Sequence, residues 1–138
     1  MRYHDYHLRD YEVSHFGKRI TLRLVCDYPG RPYDESHIEF ADVALYNFTH
    51  TGGAIITDIE ETPLVELITE LKPSLQIWGR QQGIDGWRDT AENYHEALLK
   101  QGQRSWRIES AIGFSGFVIA RSVEQVAPNT SLERTPGE

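Results

Sequence analysis

A histidine two residues from a carboxylate on an extended segment is an arrangement suited to moving a proton. In Asp34-Glu35-Ser36-His37-Ile38-Glu39 the alternation of a strand puts His37 and Glu39 on one face, opposite Ile38 and Phe40. A carboxylate beside an imidazole tunes it as a base, which makes the pair the first candidate for acid–base catalysis. The commoner use of such a pair is a surface ion contact on the wet side of a half-buried strand. Asp58 is the more suggestive candidate, because it lies at the end of a strand read as central and is followed by Glu60 and Glu61 ahead of a helix. Carboxylates there complement the positive end of the helix dipole, which accounts for Glu60 and Glu61 and less well for Asp58.

The remaining reactive groups point to structure. In His4-Asp5-Tyr6-His7 the two histidines differ in strand parity and Asp5 opposes His4, so one strand cannot focus all three on a metal, and no metal site is expected. Cys26 lies in the apolar phase of its strand, which predicts a buried, inert thiol. Thr51-Gly52-Gly53-Ala54 and Gly113-Phe114-Ser115-Gly116 lack both the Gly-Lys-Ser/Thr of a phosphate loop and the spacing of a nucleophile elbow. They read as hairpin turns, and no cofactor is expected. His15, His50 and His95 have no partner visible in the sequence and are assigned to the surface. Trp78, Trp87 and Trp106 fall on or beside helical segments and are the candidates to line a ligand cleft, although most of the aromatic residues belong to the core.

Strands dominate the first half. Tyr6, Leu8, Tyr11 and Val13 alternate with a parity slip at Arg9-Asp10, as at a bulge, and a turn at Phe16-Gly17-Lys18 leads into Ile20, Leu22, Leu24 and Cys26 on alternate positions. After a proline- and glycine-broken loop to about Ser36, a long strand is predicted through Phe48, with its parity changing near Ala41-Asp42. Thr51-Gly52-Gly53 is read as turning the chain back into Ala54–Ile59, whose two apolar faces suit the middle of a sheet.

Thr62-Pro63 predicts a helix start with Leu64, Ile68, Leu71 and Leu75 on one face. Pro73 is expected to kink or break that helix, leaving Ser74–Gln82 as a second segment. Asp89 with Glu92 resembles a capping box, and Trp87, Ala91, Tyr94 and Leu98 form a stripe that ends at Gly102. Residues 106–110 and 116–121 are then read as a closing hairpin around Gly113.

This order predicts an α+β fold: a mainly antiparallel sheet of about six strands, β-β-β-β-α-α-β-β, with helices on one face. The apolar residues on the other face require a second layer. Either the sheet curls on itself or a second copy covers it, and a homodimer is the expectation. The 138 residues suit one domain, assigned to 1–126, with 127–138 as a tail. A net charge of −7 with scattered arginines argues against a nucleic-acid or anionic-membrane partner. A single cysteine and an N-terminus without an apolar export stretch point to the cytoplasm.

The tail itself, Ala127-Pro128-Asn129-Thr130-Ser131-Leu132-Glu133-Arg134-Thr135, resembles the read-through ends of reading frames in mobile integron gene cassettes, where the gene runs into its recombination site. Ala127-Pro128-Asn129 is compatible with the core of such a site. The resemblance implies a bacterial, laterally mobile protein whose residues beyond Val126 are dispensable, and it implies no reaction. The His4-Asp5 opening, ahead of Leu-rich strands, is similar to that of small bacterial proteins, some of them of the toxin-immunity type. The expectation is therefore a small acidic binding protein with a protein or small-molecule partner, immunity-like in the first case. The alternative is a small enzyme using His37, Glu39 or Asp58 in a cleft between sheet and helices.

Overall fold

The computed structural model describes residues 2–128, with side chains from Asp5 onward. The His4 side chain and the tail from Asn129 lie outside the described residues, and with them most of the recombination-site likeness. The elements are β1 (Arg2–Ser14), β2 (Arg19–Cys26), β3 (Asp34–Ala41), β4 (Leu45–Thr62), α1 (Leu64–Gln81), α2 (Ala91–Lys100), β5 (Arg104–Ala120) and β6 (Ser122–Val126). The six strands form one antiparallel sheet in the order β5-β4-β1-β2-β3-β6. The α+β order expected from the sequence is the one observed. Among the described residues no helix is long and apolar enough to cross a membrane.

The first hairpin forms as its periodicity dictates. The β1–β2 register slips between Leu8 and Asp10, which lets Leu8, Tyr11 and Val13 all face the side on which Ile20, Leu22, Leu24 and Cys26 are buried. Three boundaries differ from the sequence reading. The predicted strand from Ile38 to Phe48 is two strands, because Asp42 takes φ 56° and the chain turns a corner there. Val43 N then bonds Lys18 O at 2.9 Å and Ala44 N bonds Ile119 O at 2.8 Å, so the chain leaves one ladder and joins another. Gly52-Gly53 is no turn, since β4 runs through it, and β5 likewise runs unbroken through Gly113.

These two glycine sites face each other across one ladder. His50 pairs with Phe114 and Ile55 with Ile112, so the Thr51–Ala54 stretch of β4 stands opposite Gly113 alone. A broad bulge replaces the two hairpins that local composition suggests. Helix starts also differ in detail. The Thr62 hydroxyl lies against Ser105 at 3.4 Å and does not cap α1. Thr90, not Asp89, caps α2, accepting from Asn93 N at 3.1 Å, while Asp89 takes φ 79°. Pro73 leaves α1 continuous, because both halves of the helix press apolar side chains, Leu64, Leu67 and Ile68 on one side and Leu75 on the other, into a common core.

The sheet curls into a half-barrel, and one aromatic pair shows how far. Strand order places β5 and β3 four spacings apart, about 19 Å in a flat sheet. Yet the ring centroids of Phe40 on β3 and Trp106 on β5 are 5.7 Å apart in an edge-on contact. Curling buries Ile20, Leu22, Leu24, Ile38, Phe40 and Ile56 inside the sheet. The helices cover the outer side of β4 and β5, burying Leu67, Leu75, Tyr94 and Leu98 against Phe117 and Ile119. Curling, one of the two second layers that the sequence left open, is present within the chain.

Candidate functional site

Closure of the half-barrel creates a corner where β3 passes into β4 and β5 into β6. Arg121 is the single residue between the last two strands, and its N–H bonds Ala41 O at 3.1 Å. Helix α2 packs beside this corner because its stripe of Ala91, Tyr94 and Leu98 is buried, and Gly102, at φ 76°, ends it and returns the chain to β5. Between corner and helix lies a cavity of about 460 Å³. That is within the range of roughly 300–1,000 Å³ common for small-molecule sites.

Two hydrogen-bonding atoms in its lining have no partner among the described residues. Tyr94 is 2% exposed and Gln103 8%, yet the Tyr94 hydroxyl and Gln103 Oε1 make no hydrogen bond. The Gln103 amide is oriented by Nε2, which donates to Asp42 O at 3.1 Å, so Oε1 is the atom left to accept. Burial, and then the nearby Asp85 carboxylate, pushes the Tyr94 hydroxyl up to about 12. It therefore stays protonated and is a donor. Its ring is held by Trp87, 5.5 Å away. Lys18 and Asp85 at the rim pair at 3.3 Å, and Arg121 Nε donates to Gln101 O at 2.8 Å.

The candidates read from the sequence lie elsewhere. His37 is buried rather than on a wet face, and its Nε2 lies 2.9 Å from Glu35 Oε2. The carboxylate it meets is thus Glu35, its neighbour on the same face in the other direction, and not Glu39, which stands opposite Glu124 across β3 and β6. Arg9 Nη2 donates to the same Glu35 at 2.7 Å and the Tyr33 hydroxyl at 3.1 Å. The hydrogen bond from His37, followed by those from Arg9 and Tyr33, holds the Glu35 carboxyl below its ordinary 4.5. A carboxyl depressed by folding adds stability above its unfolded value, and that stability is lost as pH falls through the folded value. Glu35→Gln is therefore expected to flatten the acid side of the melting-temperature profile between neutral pH and pH below 4.5. Parallel profiles for the two proteins would show that the network contributes nothing.

Asp58 faces Glu109 across β4 and β5, and its carboxylate lies within 4.8 Å of those of Glu60 and Glu109. Exposed carboxylates gather in this way on many surfaces without an ion, and the trio carries no functional assignment. Trp106 is buried inside the sheet, under Phe40 and beneath the Arg104 guanidinium. Trp87 supports Tyr94, and Trp78 lines a groove between α1 and β5 that also holds the Glu70–Arg107 ion pair. The structure does not bring His37, Glu39 and Asp58 together.

The cavity's own residues escaped the sequence reading. Tyr94 was legible as part of a buried stripe, and its hydroxyl gave no separate signal. Gln103, Arg121, Lys18 and Asp85 come from distant segments with no shared motif. Comparison with protein-family models and with curated proteins gives no match to this chain.

Proposed function

We propose that this protein binds a small polar molecule in the cavity at the sheet closure. The observation that carries the reading is the pair of buried, unpartnered atoms, the Tyr94 hydroxyl and Gln103 Oε1, lining one ligand-sized space. Each such atom costs about 1–3 kcal/mol when left unsatisfied, and a bound ligand supplying an acceptor and a donor recovers that cost. The groups present suit binding better than proton transfer. A tyrosine held near 12 stays protonated at neutral pH, whereas an acid–base catalyst works with a group poised near the operating pH. The His37–Glu35 pair supports the enzyme alternative chemically, but it lies outside the cavity lining.

Tyr94→Phe separates a binding hydroxyl from a structural one. Removing an unpartnered hydroxyl from a buried site is expected to leave stability unchanged or raise it by about 1 kcal/mol. Urea denaturation measures this directly. A loss of about 1 kcal/mol or more would mean that the hydroxyl is committed to the fold, and the site reading would fall with it. Saturation-transfer NMR against a library of small polar compounds then identifies ligands, whose signals are expected to weaken in the variant.

A further inference from the structure

The charges around the cavity are balanced in number and unbalanced in pairing. Two cations, Lys18 and Arg121, and two anions, Asp42 and Asp85, line it. Lys18 and Asp85 neutralise each other at 3.3 Å. Among the described residues the Arg121 side chain bonds through Nε alone, to a backbone carbonyl, and no ion pair holds its terminal nitrogens or the Asp42 carboxylate. One free charge of each sign is thus left at the rim of a space that also holds a buried donor and a buried acceptor.

We propose that the ligand is a small zwitterion of the free amino acid class, its carboxylate on Arg121 and its ammonium on Asp42. This rests on the cavity being a binding site and says what kind of molecule fits it. A simple anion matches less well, because the lining has no net charge and the whole chain carries −7, which repels anions from a distance. A simple cation leaves the Arg121 terminal nitrogens, a planar fork shaped for a carboxylate, unused. A dipolar molecule satisfies both rim charges, while its polar side chain meets the Tyr94 hydroxyl and Gln103 Oε1. Both rim partners sit on backbone fixed by the closure: Asp42 between β3 and β4, Arg121 between β5 and β6, joined through the bond from Arg121 N to Ala41 O.

The test is calorimetric titration of the full chain with the standard amino acids at millimolar concentration, each beside its N-acetyl form, its carboxamide and its N-acetyl amide. For at least one side chain, the free amino acid is expected to bind roughly tenfold or more tighter than either singly blocked form. Arg121→Gln is expected to abolish the preference for the free acid over the carboxamide. Asp42→Asn is expected to abolish the preference for the free amine over the N-acetyl form, so each variant checks the other if one folds poorly. Equal binding of free and doubly blocked forms overturns the zwitterion while leaving the cavity as a neutral-ligand site. Binding by none of the four forms also overturns it, and the Tyr94→Phe stability measurement then decides the cavity reading by itself.

Discussion

Phe40→Ala is expected to remove about 3–5 kcal/mol of stability, the usual cost of truncating a fully buried phenylalanine. Phe40 is 0% exposed and stands between Ile20 of β2 and Val123 of β6 in the ladder, with its ring against Trp106 of β5. Its loss opens a void where the two ends of the curled sheet meet, a place that cannot collapse without moving both. Urea denaturation checks it, with a lowered midpoint and an unchanged slope as the expected result. Ile112→Ala is the control, because Ile112 is 58% exposed and its truncation is expected to cost no more than about 0.5 kcal/mol. A similar small loss at Phe40 would mean that the sheet is open in solution and its inner face covered in another way, a second copy of the chain being the obvious cover.

Gly113→Ala is expected to cost about 2–5 kcal/mol through two separate effects. Its φ of +83° is strained for any L side chain, which accounts for roughly 1–2 kcal/mol. A β-carbon there would also stand 2.2 Å from Gly53 O, a backbone atom of the facing strand that cannot swing aside, and such overpacking adds about 1–3 kcal/mol. Gly102→Ala isolates the first effect, since Gly102 has φ +76° and open space around its α-carbon. It is expected to lose only about 1–2 kcal/mol. Thermal or urea melts of the pair measure the difference, and equal losses would show that the strands at the bulge separate freely.

The same bulge shows why local reading succeeds in one place and misleads in another. Ile20, Leu22, Leu24 and Cys26 are legible because a period of two needs no knowledge of the neighbour, and all four are buried. Ala91, Tyr94 and Leu98 are legible for the corresponding reason on a helix. Gly52-Gly53 and Gly113 are not. A glycine marks a chain reversal and a close approach of two backbones equally well, and only the long-range pairing of β4 with β5 selects the second. The Ala41–Leu45 corner was visible only as a change of parity, which fits a bulge within one strand or a passage between two.

For the candidate site the gap is wider. His37 with Glu39 and Asp58 stood out because reactive residues lay close together in sequence, and closeness in sequence favours ladder neighbours and surface ion contacts. The cavity instead draws on the β1–β2 turn, the β3–β4 corner, the helix connection, α2 and the β5–β6 junction. No spacing links these segments, since loop closure between them is set by the curl and not by a turn.

The sequence by itself determined the α+β order, the apolar faces of the strands and of α2, the burial of Cys26 and the need for a second layer over the sheet. Each follows from periodicity or from the chemistry of one residue beside its neighbours. Only the tertiary structure decided that the sheet supplies that layer by curling, that glycines make a bulge where turns were expected, and that Tyr94, Gln103, Arg121 and Asp42 share one cavity. Those outcomes depend on contacts between residues far apart in the chain, whose energies are exerted only after the strands have paired.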